Sequence, residues 1–273
     1  GILRNRLYFL IATKIMRAEK DLKFGEYELY AGMAPIAAVR KLTAGNTLAR
    51  RLTVPEGLTI SQIGQRLERD GLVSKDVFVA QTRSAELRTV LGVRNDTVEG
   101  FLFPDTYYIT EGENPDNLVR MMVNRFEEVY RQESEASSAS GEYDVFDIVT
   151  IASIVEKEAF LDSEKPLIAG VVYHRLRKNM RLYCDVTVQY ALNKFGRRLT
   201  YADLESDSPF NTYIHHGLPP GPICNPGRAS LRAALHPEQT DYLYFVSKNN
   251  GTHHFSGTLA EHNRAVRKYQ LGL

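Results

Sequence analysis

Residues 148–155 read Ile-Val-Thr-Ile-Ala-Ser-Ile-Val, an apolar run of helical length that has to lie inside a core, and the run ends in Glu156-Lys157-Glu158. Asp144 is placed to start the helix. Counting back from Glu158 by three, four and seven positions reaches Val155, Ile154 and Ile151, so its carboxyl falls on the apolar face. Glu156 points about 200° around the same helix, toward Ala152 and Ser153. An ionised carboxylate on an apolar face costs free energy unless it is paired or keeps its proton. A raised pKa is what a general acid needs to cleave an ether-like bond near neutral pH. A helix-terminal glutamate that reaches out to solvent is the competing reading of the same residue.

The chain around this helix has 273 residues, enough for one large or two modest domains with a sizeable core. With 43% hydrophobic and 25% charged residues it reads as a soluble globular protein. A net charge of +1, without a basic cluster interleaved with aromatics, argues against nucleic acid as a partner. The two cysteines, Cys184 and Cys224, are too few for a disulfide scaffold or a zinc ribbon. His215-His216 and His253-His254 are adjacent pairs whose side chains diverge, and neither belongs to a His-Glu-x-x-His helix, so no metal is expected. Serine-hydrolase and nucleotide-binding signatures are missing too, and no cofactor is expected. The early apolar stretch from Leu7 to Ala12, between Arg6 and Lys14, is too short to span a membrane.

Gly1-Ile2-Leu3-Arg4-Asn5-Arg6-Leu7-Tyr8-Phe9 lines up with Gly71-Leu72-Val73-Ser74-Lys75-Asp76-Val77-Phe78-Val79. The second copy follows a strand-plus-helix half that the first lacks, so a removed upstream segment is expected. In that second copy Thr59 and Gln62 form a capping box, and Ile60, Ile63 and Leu67 make the apolar stripe of a helix reaching Arg69. Ahead of it, residues 26–30 read as a strand, 35–42 as a helix broken by Gly45-Asn46, and 50–54 as a second strand. A small α+β module results, either a wall-polymer-binding unit or a plain packing subdomain.

Beyond residue 85 aromatics gather around Pro104 between Glu99 and Asp105. Pro115-Asp116 caps a helix with the stripe Val119, Met122, Val123, Phe126 and Tyr130, and residues 133–142 read as a polar surface loop. Pro166 suits the first turn of a helix bearing Ile168, Val171 and Val172. Asp185 reads equally as a helix N-cap or a functional carboxylate. Thr200 starts a short helix. Residues 208–227 hold five prolines and three glycines and cannot be helical. That stiff segment, with Asn211, Thr212, Tyr213 and Asn225, suits either a polar polymer or a strap across the core. A helix over 228–235, strands over 242–247 and 253–255, and a last helix opened by a Thr258/Glu261 capping box close the chain.

Several of these stretches together resemble the YceG-like (MltG-type) endolytic murein transglycosylases. They are Ile151-Ala152-Ser153-Ile154-Val155-Glu156-Lys157-Glu158, Arg181-Leu182 with Asp185-x-Thr187-Val188, Phe210-Asn211-Thr212-Tyr213, Gly217-Leu218-Pro219-Pro220-Gly221-Pro222-Ile223 through Gly227, and Tyr242 to Val246. Glu99-Gly100 with Phe103-Pro104-Asp105-Thr106-Tyr107 matches as well. The resemblance implies an α+β protein, with a LysM-like subdomain over residues 1–86 and a lysozyme-like mixed α/β catalytic domain over 87–273. It implies Glu158 as the catalytic residue, cleavage of the MurNAc-β-1,4-GlcNAc bond within nascent glycan strands, 1,6-anhydro ends and termination of strand elongation. Glu99, Asp105, Asp185, Gln189, Asn211, Thr212, Tyr213 and Asn225 become candidates for lining the groove and positioning the sugars. Peptidoglycan is then the partner, with peptidoglycan synthases (penicillin-binding proteins) beside it. The full-length protein would be held in the bacterial inner membrane by one N-terminal helix, its catalytic domain periplasmic. A hydrolytic muramidase with Asp185 or Asp105 as second carboxylate, and a non-catalytic wall-binding protein, are the alternatives.

Overall fold

Helices α1 (Arg6–Ile15) and α2 (Pro35–Ala44) pack on one another around Ala12, Ala18 and Val39 at the start of the chain. The structure, a computed structural model, describes residues 6–23, 27–45, 50–110, 112–135 and 142–272. Gly45 ends α2 at φ 71°, a left-handed conformation that favours glycine. Tyr27 to Tyr30 form no strand; the Tyr27 hydroxyl instead donates to the carbonyls of Lys23 and Leu42, which ties the segment to the end of α2. Glu26, Asn46 and the first half of the Gly1–Phe9 repeat lie outside the described residues; Arg6 to Phe9 are helical, as are their counterparts Asp76 to Val79.

Strand β1 (Arg50–Thr53) leads into α3 (Ile60–Arg69), α4 (Lys75–Gln81), α5 (Ala85–Leu91) and β2 (Thr106–Ile109). The expected box caps α3: Thr59 accepts from Gln62 N while Gln62 accepts from Thr59 N. β1 and β2 pair antiparallel with Leu52 opposite Tyr107. Leu52, Ile63 and Leu67 share a single hydrophobic cluster with Phe101, Phe126, Ile151 and Leu231. The expected boundary at residue 86 is therefore crossed by a strand pairing and by a continuous core. The apolar faces of β1 and α3 are completed by side chains that arrive after it.

Helix α6 (Pro115–Ser134) is capped by Asn114, one residue earlier than expected, and buries Val119, Met122, Val123 and Phe126. The polar stretch begins later than expected as well. Glu133 is still helical and only 8% exposed, because Arg228 and Arg232 both pair with its carboxylate. Residues 136–141 lie outside the described residues. Helix α7 (Val145–Glu158) starts at Asp144, which accepts from Asp147 N, and every residue of 148–155 is buried. The hydroxyls of Thr150 and Ser153 donate to carbonyls of the preceding turn, so their burial leaves no donor unsatisfied.

Helix α8 (Lys165–Arg177) carries Pro166 in its first turn and packs on α7. Gly170 of α8 faces the chain just beyond the next packed helix, and a Cβ there would lie 2.1 Å from the Glu238 carbonyl oxygen. Alanine gains about 0.5–1 kcal/mol as a helix former, but overpacking costs about 1–3 kcal/mol. Gly170→Ala is therefore expected to lower the unfolding midpoint in a thermal melt, and an unchanged or raised midpoint would contradict this packing.

Helices α9 (Asp185–Ala191) and α10 (Tyr201–Leu204) precede the proline-rich segment. That segment takes no regular structure, and residues 221–227 are buried as a strap across α7. Its backbone donors are met from afar: Ile223 N donates to Ser153 Oγ and Asn225 N to Leu58 O. Helix α11 (Arg228–Leu235) packs on both α7 and α8. Strands β3 (Tyr244–Ser247) and β4 (His253–Ser256) form an antiparallel hairpin, and α12 (Leu259–Val266) opens with its expected capping box. The chain is α+β. Among the described residues no helix is long and apolar enough to cross a membrane.

Candidate active site

The two glutamates at the end of α7 part company, as the helical period requires. Glu156 is fully engaged in the scaffold: its carboxylate accepts from Gly227 N and from the Ser230 hydroxyl, and lies 3.5 Å from Lys165 Nζ. Glu158 instead faces a hollow of about 870 Å³, lined also by Arg175, Tyr183, Asp185, Tyr213 and Tyr244. The residue keeps some exposure, but its carboxyl end is enclosed by protein. Burial first, and the charge of Asp185 second, push its pKa up to about 7, against the pull of Arg175 and of the neighbouring Cys184 thiol. Its place at the C-terminus of a 14-residue helix adds to the resistance against negative charge. The carboxyl can therefore both give and take a proton near neutral pH.

Asp185 does not cap α9; the cap position is Cys184, and no side chain fills it. The Asp185 carboxylate accepts the Tyr213 hydroxyl at 2.5 Å instead, which turns it toward the hollow. Burial first, and then the hydrogen bond to Asp185 and its charge, hold the Tyr213 phenol well above the usual range, so it stays a donor. Tyr213 meets Tyr183 edge-on at 5.3 Å. Tyr183 sits at φ 51°, uncommon for a residue with a Cβ, and is 46% exposed at this wall. Arg175, on α8, passes beneath Tyr244 with its guanidinium 5.1 Å from the ring centre.

The other six expected site residues are placed elsewhere. Asn225 is fully buried: its carbonyl accepts from Gly100 N and Leu102 N, and its amide donates to Leu58 O and Glu99. Glu99 accepts Ile60 N with both oxygens; burial raises its pKa to about 8, against the N–H groups of Ile60, Gly100 and Asn225 that favour its charged form. Asn211 donates to the carbonyls of Leu204 and Ser206 and accepts Tyr213 N. Thr212 accepts Cys184 N and bonds the Thr187 hydroxyl. These two hold the loop under Tyr213 and the start of α9, one layer behind the hollow. Gln189 donates to Arg197 O, and Asp105 pairs with Arg125 at 2.7 Å beside a separate hollow.

Sequence reasoning passed over Arg175, Tyr183 and Tyr244. For Arg175 the signal was present. It stands seven, four and three positions after Ile168, Val171 and Val172, the same spacing that singles out Glu158. Cys184 and Cys224 are both buried free thiols. The ring of His253 turns to Glu164 at 2.7 Å while that of His254 meets Tyr269, and no metal-binding group of His, Cys, Asp and Glu occurs among the described residues.

Fold and site together define an α+β protein with a single proton-bearing glutamate on the floor of an open, tyrosine-walled hollow. The chain belongs to the YceG-like family, whose family model matches residues 1–268. It is 39% identical over 264 residues to the endolytic murein transglycosylase of Bacillus subtilis (strain 168), covering 90% of this chain and 72% of that protein. Similarity to the endolytic murein transglycosylase of Streptococcus pneumoniae (strain ATCC BAA-255 / R6) is 29% over 98% of the chain, which spans only 54% of that relative. The crystal structure of a YceG-like protein from Listeria monocytogenes superposes with a TM-score of 0.70 at 35% identity, covering 97% of this chain and 91% of that one.

Proposed function

We propose that this chain is an endolytic murein transglycosylase that cleaves the MurNAc-β-1,4-GlcNAc bond within glycan strands. The observation that carries the reading is Glu158, a carboxyl with a pKa of about 7 at the floor of the hollow. Protonated Glu158 gives its proton to the glycosidic oxygen as the C1–O bond breaks and an oxocarbenium-like centre forms. The resulting carboxylate takes the proton of the muramyl C6 hydroxyl, whose oxygen closes on C1 to make the 1,6-anhydro ring. Glu158 ends protonated again and no water is consumed, so one carboxyl serves both steps. Burial, with the charge of Asp185 adding to it, raises the pKa of Glu158, and Asp185, oriented by Tyr213, supplies negative charge near the developing cation.

Cleavage in such a site needs the protonated acid. The value of kcat/KM is expected to be level below pH 7 and to fall about tenfold per pH unit above it. Removing the Asp185 charge eases ionisation of Glu158, so Asp185→Asn is expected to move this alkaline limb to lower pH. A limb that stays put would contradict the coupling.

We place the LysM-like, wall-binding role on the β1–α5–β2 unit rather than on residues 1–86, since its strands pair with each other across that boundary. An upstream membrane anchor, an extracytoplasmic site and peptidoglycan synthases as partners follow from the same proposal. The direct test is incubation with purified glycan strands. Endolytic cleavage shortens the mean strand early, before short products accumulate. Strands bound but unshortened would favour a wall-binding protein. A hydrolytic muramidase is the second reading, because Asp185 faces the same hollow and could act as a second carboxylate.

A further inference from the structure

Arg175 is only 8% exposed, yet no carboxylate lies within ion-pair distance of it among the described residues. The more exposed Arg120 pairs with Glu86 and Asp116, Arg125 with Asp105 and Glu128, and Arg232 with Glu133, whereas the half-buried Arg88 and Arg181, like Arg175, donate to carbonyls. A buried cation without a counter-ion is costly unless it is hydrogen-bonded and has work to do. Arg175 is held rigidly along one edge. Its Nε donates to Leu243 O and its Nη1 to Leu182 O, with Arg181 O at 3.5 Å. The rings of Tyr244 and Tyr183 flank it, 5.1 and 5.9 Å from the guanidinium carbon. Its outer nitrogen, Nη2, has no hydrogen-bond partner among the described residues and is not sealed off from solvent, and Arg175 lines the hollow beside Glu158. A fixed guanidinium with one donor edge left open is a preformed seat for an oxyanion.

We infer that Arg175 binds a carboxylate carried by the muramyl substituent next to the scissile bond, an inference that rests on the glycan-cleaving function proposed above. The sugar rings of that polymer are neutral N-acetylhexosamines. Its carboxylates belong either to the lactyl ether of an unsubstituted muramyl unit or to a peptide stem attached through that group. Both present the same oxyanion to Nη2, and capture beside Glu158 would set which bond of the strand lies over the acid. Arg175 is thus a specificity residue. Had it served only to balance charge on Glu158, substrate charge would not matter to it.

The test compares four strands with the wild-type protein: free lactyl carboxylates, the same strands with those groups converted to methyl amides, peptide-bearing strands, and peptide-bearing strands with the peptide carboxylates amidated. A hydrogen bond to a charged group contributes about 1.5–3 kcal/mol, or roughly 10–100-fold in KM. KM is expected to rise by that factor on neutralisation within the first pair if the lactyl group is the ligand, or within the second pair if the stem is, with kcat changed by less than about threefold. In Arg175→Gln the charged and neutral strands are expected to converge. If that variant does not fold, the wild-type comparison decides alone. Equal KM for charged and neutral strands in both pairs overturns the inference and leaves the function standing. Cleavage of none of the four overturns both.

Discussion

Glu158→Gln is expected to lower strand cleavage at least about 10³-fold while making the protein more stable above neutral pH. General acid–base catalysis contributes roughly 10²–10⁴-fold in each role, and Glu158 is assigned both, so the loss falls at the upper end. The stability change has the opposite sign. In the unfolded chain this carboxyl ionises near the usual value, whereas in the fold it holds its proton up to about pH 7. The folded state binds the extra proton, so stability is full below the unfolded pKa, declines as pH rises toward 7, and levels off above it. The shift sets a ceiling of about 3 kcal/mol for that decline, and water in the hollow reduces it to about 1–3 kcal/mol. Glutamine has no proton to lose. The variant's unfolding midpoint at pH 8 should therefore exceed that of the wild type, and the gap should vanish near pH 4. Lost activity with a lowered midpoint at pH 8 would point to structural damage instead.

The second large effect is expected at Asn225→Ala, and there stability changes while the chemistry does not. The Asn225 side chain joins Gly100 N, Leu102 N, Leu58 O and Glu99, linking the strap to the turn before α3 and to the aromatic segment near Phe101. Truncation leaves the buried Gly100 and Leu102 N–H groups without this acceptor and takes one donor from the Glu99 carboxyl, which keeps Ile60 N. Each unsatisfied group costs about 1–3 kcal/mol. Because partial relaxation makes such losses less than additive, about 3–5 kcal/mol is expected for the whole. Denaturant titration measures it. Per folded molecule at low temperature, KM should stay near the wild-type value. A sugar-positioning Asn225 would behave the other way, with near-normal stability and a raised KM.

Asn225 also shows why the site was only partly legible in the sequence. Polar residues in a proline-rich motif look alike whether they face a sugar or a backbone, and the partners that decide the matter, Gly100 and Leu102, lie more than a hundred residues away. Local signals transferred well. The caps at Thr59, Asp144 and Thr258 act within one turn, and each opens the helix expected from it. The burial of 148–155 and the divergence of Glu156 from Glu158 follow from the helical period alone. Non-local features did not transfer. The pairing of β1 with β2 joins segments on either side of the expected domain boundary. The strand expected around Tyr27 has no neighbour to pair with among the described residues, and α5 was not anticipated. Arg175 stands apart: the rule that picked out Glu158, applied to α8, finds it as well.

Mass spectrometry of the ends made by the wild-type protein from purified glycan strands tests the central claim, that Glu158 alone serves as acid and then base. The new muramyl ends should be lighter by one water than hydrolysed ends, and no heavy oxygen should enter them from labelled water. Muramyl ends that carry the full water, with label from the solvent, would contradict the account and make Asp185 the second carboxylate of a hydrolase.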